Sequence, residues 1–446
     1  MDALARQISE QPSMDPMEMK LAALAPRPRT VEETGLSQNF LQALIAKHLY
    51  DGGVSTLREL VARTLLAGSI LETVLALMRS EAYVEIRGSV DGTTALRYGL
   101  TDRGRAFALE SLMKSGYLGP APVSLTQYIQ VVQAQSVHHH QVTQAQMQSA
   151  FSEIVIRDNL LNQLGPALNS GRAIFVYGPA GTGKTYIAQR LAWMLGDPVL
   201  IPHAIAVGDT PIQLFDPIFH QPIKDPEGTP HALFEQGYDP RFVFCQRPAV
   251  LTGGELTLDM LEISYEASTK VYQAPLQLKA NNGIYLLDDL GRQRVAPVDL
   301  FNRWIVPMES QQDYLNLASG KRFPVPFDVI LIFSTNLNPS ALADEAFLRR
   351  LGYKIRFGEL NAKEYAAIWR QVCEARGIEF DGELLRYVLE ELYGSSPRPL
   401  LPCHPRDLLS MALDQACYLE ISNQVTKEML DLAWQSYFVG LESDKS

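Results

Sequence analysis

The sequence predicts an α/β fold, a parallel sheet flanked by helices, and three stretches carry that prediction. Residues 173–185 read Ala-Ile-Phe-Val-Tyr-Gly-Pro-Ala-Gly-Thr-Gly-Lys-Thr, a short apolar run entering the pattern G-x-x-x-x-G-K-T. From Tyr186 onward the apolar spacing is helical. Gly283 to Leu287 forms a second strand-like run and ends in the carboxylates Asp288 and Asp289. Val329 to Thr335 forms a third and ends in Asn336.

Strand, glycine loop and helix N-terminus in that order make a phosphate cradle. The glycines let backbone N–H groups converge on an anion, and the helix end adds partial positive charge. Gly178, Pro179, Ala180, Gly181, Thr182, Gly183, Lys184, Thr185 and Tyr186 are the predicted binding segment. Lys184 reaches the β- and γ-phosphates, and the Thr185 hydroxyl ligates Mg²⁺. In the acidic strand, Asp288 is expected to help hold Mg²⁺ and Asp289 to orient and deprotonate an attacking water. ATP and Mg²⁺ are therefore the expected cofactors.

Composition sets the bounds. A chain of 446 residues should form about three domains. A net charge of −11 argues against a protein whose main role is coating nucleic acid. Four cysteines without C-x-x-C spacing read as reduced core thiols. No apolar stretch approaches a membrane span and no signal-like start is present, so a cytoplasmic location is expected.

Residues 1–35, with four prolines among scattered charges, read as a flexible N-terminal arm. Residues 36–116 read as a small domain with helical patterns at Leu41 to Leu49, Leu57 to Leu66 and Ile70 to Met78. Thr56 with Glu59 and Ser69 with Glu72 predict capping boxes for the second and third helices. Two strand-like runs follow, Tyr83 to Arg87 and Ala95 to Leu100, joined through the turn pair Asp91-Gly92, and Thr101 opens a fourth helix. This order resembles a winged-helix domain. Its third helix offers Arg79 and little else to DNA, and nine Lys/Arg face eight Asp/Glu over 36–116. A protein-contact role is favoured over DNA binding. Residues 117–150 are rich in glutamine and read as a polar linker, with the triplet His138 to His140 solvated and a capping box at Thr143 and Gln146. Pro198 to Pro202 is read as the second strand region of the nucleotide domain.

With these motifs in place, residues 151–357 resemble the α/β nucleotide-binding domain of AAA+ ATPases, and 358–446 the helical lid that follows it. The resemblance implies that Asn336 contacts the γ-phosphate and the nucleophilic water. It implies an arginine finger in Asp344-Glu-Ala-Phe-Leu-Arg349-Arg350, with Arg350 preferred to Arg349, reaching the ATP of a neighbouring subunit. It also implies that Arg406, in His404-Pro-Arg406, touches the γ-phosphate from the lid. Lys184, Asp289, Asn336, Arg350, Arg349 and Arg406 are thus the candidate catalytic set. An insertion at about 253–282 and a hairpin over Gln312 to Pro326 further resemble the MoxR-like, helix-2-insert branch. Tyr265 and Tyr272 in the insertion are either pore-facing grips or packing residues.

One departure stands out: Asp289 occupies a position where the family usually has Glu. Its carboxylate is shorter by about 1.5 Å, which predicts slow hydrolysis. The function expected is a ring-forming ATPase, a hexamer by resemblance, remodelling a protein partner held by the N-terminal domain or the insertion. A nucleotide-gated DNA-binding regulator is the alternative, and a nucleic-acid translocase a further one.

Overall fold

The structure, a computed structural model, describes residues 16–87, 96–223, 237–342, 345–421 and 424–438. The Asp91-Gly92 turn, Asp344 and the first fifteen residues of the predicted arm lie outside the described residues.

Five parallel strands form the central sheet: β1 (Ile174–Tyr177), β2 (Ala249–Thr252), β3 (Gly283–Leu287), β4 (Val329–Thr335) and β5 (Tyr353–Arg356). Their order is β2-β3-β4-β1-β5. Side chains alternate between two buried faces, as a strand's period of two requires. Ile174, Val176, Ile284, Leu286, Ile330 and Ile332 meet Leu161, Leu164, Ile187 and Leu191 from the helices Asp158–Asn169 and Lys184–Trp193. Phe175, Tyr285, Leu287, Leu331 and Phe333 meet Leu300, Phe301 and Trp304 of the helix Pro297–Ser310.

The second-strand expectation is corrected. Val199–Pro202 pairs antiparallel with Phe242–Cys245, outside the central sheet, and β2 takes the place beside β3. Much of the inserted chain therefore precedes β2. The predicted insertion after it is also present, but without a long helix: it holds a 3-10 turn (Leu258–Leu261), a hairpin (Ser264–Glu266 with Val271–Gln273) and one helical turn (Leu276–Lys279). The hairpin Gln312–Asn316 with Arg322–Pro326 lies immediately before β4, where the sequence puts it.

A second, mixed sheet draws strands from three distant stretches. Its order is Ser264–Glu266, Val271–Gln273, Thr210–Gln213, Ala204–Val207 and Val123–Ser124. The last strand belongs to the predicted linker. That expectation is corrected too, because Tyr128, Val131 and Val132 of the helix Leu125–Ala134 are buried against this sheet. Their spacing puts them on one helical face. The arm reading is likewise corrected for its described part: Pro16–Leu24 is helical, and Leu21 and Ala25 are buried.

The N-terminal domain holds the helices Gln38–Gly52, Leu57–Thr64, Gly68–Ser80 and Asp102–Lys114. Beside them lies a three-stranded antiparallel sheet, Ser55–Thr56, Arg97–Leu100 and Val84–Arg87. The Thr56/Glu59 capping box forms, as does that of Thr143 and Gln146. The Ser69/Glu72 box does not: Ala67 is the N-cap, and the Ser69 hydroxyl donates to the Arg29 carbonyl at 3.0 Å. The first turn of the third helix is therefore tied to the chain before it.

This domain is fixed to the second sheet. Ala204 and Ala206 join its apolar cluster. At the centre Arg241 and Asp239, both fully buried, form an ion pair at 2.8 Å. The same guanidinium donates to the carbonyls of Thr34 and Pro122 and to the Gln127 amide oxygen. At the tip of the inserted hairpin, Gly116 N–H donates to the Lys270 carbonyl, and a Cβ at Gly116 would lie 1.8 Å from the Thr269 oxygen.

In the lid, Asn361 and Asp381 cap Ala362–Arg376 and Gly382–Tyr387, and Cys403–Tyr418 and Lys427–Tyr437 complete the bundle. Leu409, Ala412 and Ala416 are buried as predicted, but Leu419 is exposed. Cys245 and Cys373 are buried free thiols, whereas Cys417 is exposed, so the core-thiol reading fails there. Among the described residues no single helix is long and apolar enough to cross a membrane, and no group of His, Cys, Asp or Glu could hold a metal ion by itself. His138 instead lies 3.7 Å from the Asp328 carboxylate, and the His140 ring bonds the Met194 carbonyl.

Burial lowers the pKa of both His203 and His404 to about 4. A histidine that stays neutral when folded but protonates when unfolded favours the unfolded state as pH falls below about 6.5. The stability contributed by these two sites should therefore fall between pH 6.5 and 4 and stay constant above that window. Thermal unfolding at pH 7.5 and 5 should show the lower melting temperature at pH 5, and His203→Phe should reduce the difference.

Candidate nucleotide site

The phosphate loop leaves β1 at its C-terminal end. Gly178 has φ 144° and a Cβ there would sit 2.0 Å from the Phe357 carbonyl, so only glycine fits. Gly181, at φ 79°, lies against the lid: a Cβ would be 2.4 Å from Cys403 Sγ, and the Cys403 N–H donates to the Gly181 carbonyl at 3.3 Å. Gly183 is the N-cap of Lys184–Trp193, whose first N–H groups consequently open into the cleft.

Lys184 is 6% exposed. Its Nζ donates to the Gly178 and Pro179 carbonyls at 2.9 and 2.8 Å and to Asn336 Oδ1 at 2.6 Å. Burial lowers its pKa, while the Asp288 and Asp289 charges act the other way. The Asn336 amide also donates to Asp289 Oδ1 at 3.1 Å, so it bridges the lysine and the carboxylate. Thr185 Oγ1 donates to Asp288 Oδ2 at 2.6 Å. These two hard oxygen donors suit Mg²⁺. Thr182 turns inward and donates to the Pro179 carbonyl.

These groups border a cleft of about 810 Å³ between the sheet and the lid, within the range of nucleotide-sized sites. Ala180 to Tyr186, Asp288, Asp289, Asn336 and Arg406 all line it. The Arg406 side chain is mostly exposed and rests on Asp407 at 3.0 Å. Arg349 and Arg350 are not brought to this cleft. Arg349 pairs with Glu345 at 2.8 Å and Arg350 with Glu309 on the helix Pro297–Ser310.

Several lining residues escaped sequence reasoning. Ile154, Val155 and Ile156, together with Ile368 and Val372 of the lid, add apolar side chains to the cleft lining. Arg157 spans the two domains: Nε and Nη2 grip Glu364 at 2.7 and 2.8 Å, and Nη2 also donates to the Glu359 carbonyl. The Arg157 hydrogen bond is the chief cause of a lowered Glu364 pKa. Arg292 and Arg356 add two more cations to the lining. Nothing local marks Arg157, whose side chain finds its partners, Glu359 and Glu364, 202 and 207 residues further along the chain.

A cleft lined by a phosphate cradle, paired carboxylates and apolar side chains can bind a nucleoside triphosphate and place water against its γ-phosphate.

Comparison with known proteins finds one family, described as "Domain of unknown function (DUF8689)", over residues 361–436 of the lid. No curated protein matches. Among solved structures, NtrX from Brucella abortus in complex with ADP is similar at 15% identity and a TM-score of 0.39, over 65% of this chain and 56% of that one. The RuvB Holliday junction branch migration motor of Thermotoga maritima is similar at 12% identity and a TM-score of 0.36, over 63% of this chain and 69% of that one. The chain thus spans little more than half the length of NtrX. From its own strand order, phosphate loop and helical lid, the chain has the mixed α/β fold, a parallel sheet flanked by helices, that the sequence predicts.

Proposed function

We propose that this protein binds ATP and hydrolyses it to ADP and phosphate in the cleft between the central sheet and the lid. One observation carries the reading: Lys184, Thr185, Asp288, Asp289 and Asn336, drawn from three strands' ends, form one hydrogen-bonded constellation. Lys184 and the loop N–H groups bind the phosphates. Asp289 and Asn336 position a water, whose oxygen attacks the γ-phosphorus as the bond to the bridging oxygen of ADP breaks. The water's proton passes to the Asp289 carboxylate. Mg²⁺, held through Thr185 and Asp288, would neutralise charge on the phosphate oxygens.

The working unit is a ring in which Arg350, with Arg349 second, serves a neighbour's site, and Arg406 reaches the γ-phosphate within its own subunit. Arg350 pairs with Glu309, is partly exposed and does not line its own subunit's cleft, which supports service to a neighbour. The MoxR-like assignment draws support from the inserted hairpin and from the hairpin before β4. The N-terminal domain, with its four helices and small antiparallel sheet, is winged-helix-like and contacts a protein partner that the ATPase remodels. The tether from Ser69 to Arg29 favours this role over DNA reading, because it occupies the helix turn that would enter a groove.

Electrophoretic shifts with duplex DNA at two salt concentrations, with and without ATP, test the choice. The expected result is no shift at either salt concentration. Binding that weakens steeply with salt and is lost in Arg79→Ala would overturn the protein-partner reading in favour of the DNA-binding regulator. Release of phosphate from MgATP by the wild-type chain, measured alongside its oligomeric state, tests the core reading. A monomer as active as any ring would remove the role given to Arg350.

A further inference from the structure

The carboxylate of Asp289 reaches Asn336 although it is one carbon shorter than the glutamate expected there. The reason lies in the backbone. Asp289 has φ 50°, a left-handed conformation that most side chains disfavour and that Asp and Asn tolerate better. In this turn Leu290 N–H donates to the Ser334 carbonyl and Arg292 N–H to the Asp289 carbonyl. Gly291 follows, also with positive φ, at 102°.

A single side chain staples this turn from behind. The Gln293 amide nitrogen donates to the carbonyls of Asp288, Asp289 and Gly253 at 2.9, 3.2 and 3.3 Å. Its amide oxygen accepts from the Gly291 N–H at 2.8 Å. Both ends of the carboxamide are therefore used, and both residues of the acidic pair are held through their main chain. Gln293 is absent from the cleft lining, so it does not touch the nucleotide.

We infer that Gln293 is a positioning residue for hydrolysis: it fixes the left-handed turn at Asp289 and so restores the reach that the shorter carboxylate lacks. The inference rests on the hydrolytic reading above. It also reverses one expectation. In a turn set for aspartate, the longer side chain of Asp289→Glu overshoots by about 1.5 Å, so this variant should lose rate, not gain it, and the Asp at this position is no cause of slow hydrolysis.

The experiment compares phosphate release at saturating MgATP and equilibrium ADP affinity for the wild type, Gln293→Leu, Gln293→Glu, Asp289→Asn, Asp289→Glu and the double variant Gln293→Leu/Asp289→Asn. A displacement near 1 Å lowers rates by about 10²-fold. Gln293→Leu should therefore lower kcat by roughly 10- to 100-fold, with KM for ATP and ADP affinity within about twofold of wild type. Gln293→Glu is nearly isosteric, keeps the acceptor for Gly291 and loses the donors to the three carbonyls. It should fall in kcat as well, and it serves should the leucine variant fail to fold. Added to Asp289→Asn, the leucine change should cause no further loss, which a general structural role would not produce. A hydrolysing wild type with unaltered kcat in Gln293→Leu and Gln293→Glu overturns the assignment alone, as does an additive loss in the double variant. A wild type that binds ADP yet releases no phosphate overturns the hydrolytic reading and this assignment with it.

Discussion

Arg241→Ala is expected to destabilise the protein by about 3–5 kcal/mol, the usual cost of removing one partner from a buried ion pair. Asp239 would be left with no exposed surface and without its guanidinium partner. The Thr34 and Pro122 carbonyls and the Gln127 amide oxygen would lose their donor at the same time. Chemical unfolding followed by tryptophan fluorescence reads the loss directly. Limited proteolysis should show new cleavage between the N-terminal helices and the second sheet. The double change Arg241→Met/Asp239→Leu should cost less than Arg241→Ala, since it removes both charges together and leaves neither uncompensated. A double variant as unstable as the single one would show that the carbonyl contacts, not the charge pair, hold this junction.

Lys184→Ala should abolish measurable hydrolysis and weaken nucleotide binding while leaving the fold intact. The side chain is buried and its ammonium is held by two loop carbonyls and Asn336, already aimed where phosphate oxygens would lie. Loss of one such preorganised donor costs about 10²- to 10³-fold in rate. Here the loss should be larger, because Asn336 loses its anchor as well and Asp289 loses the group that orders its amide partner. Thr185→Ala should be milder for ADP binding and severe for Mg²⁺-dependent binding, since it removes the hydroxyl that faces Asp288. Fluorescent nucleotide titration, with and without Mg²⁺, separates the two. Equal loss in both conditions for Thr185→Ala would remove the metal-holding role.

The central sheet and its loop were legible because their signals are local. Gly178 to Thr185 carries its own geometry, and Gly283 to Leu287 and Val329 to Thr335 are apolar on both faces, as parallel strands covered by helices must be. Apart from Arg406 on a lid helix, the site residues identified from the sequence inside the cleft sit at strand ends, in the loop or in the first turn of the helix after it. The second sheet was not legible, because its strands come from residues 123–124, 204–213 and 264–273 and each is too short to declare a partner. For the same reason Val199–Pro202 and Ala249–Thr252 look alike in sequence, and only long-range pairing decides which joins β3. The helix Leu125–Ala134 did leave a signal: Tyr128, Val131 and Val132 share one face, although the glutamines around them suggested a solvated tether. Gln293 and Arg157 left none, since a glutamine after an acidic pair and an arginine before a helix are ordinary in any loop.

The second sheet changes what deletion of the front of the chain would mean. A cut near residue 116, chosen to free a detachable reader from its motor, would strip the cover from Ala204 and Ala206 and take away the Thr34 carbonyl that Arg241 satisfies. It would also release the hairpin that reaches back to Gly116. The front of this molecule is masonry rather than a trailing hand: it completes the packing of the second sheet instead of hanging from it.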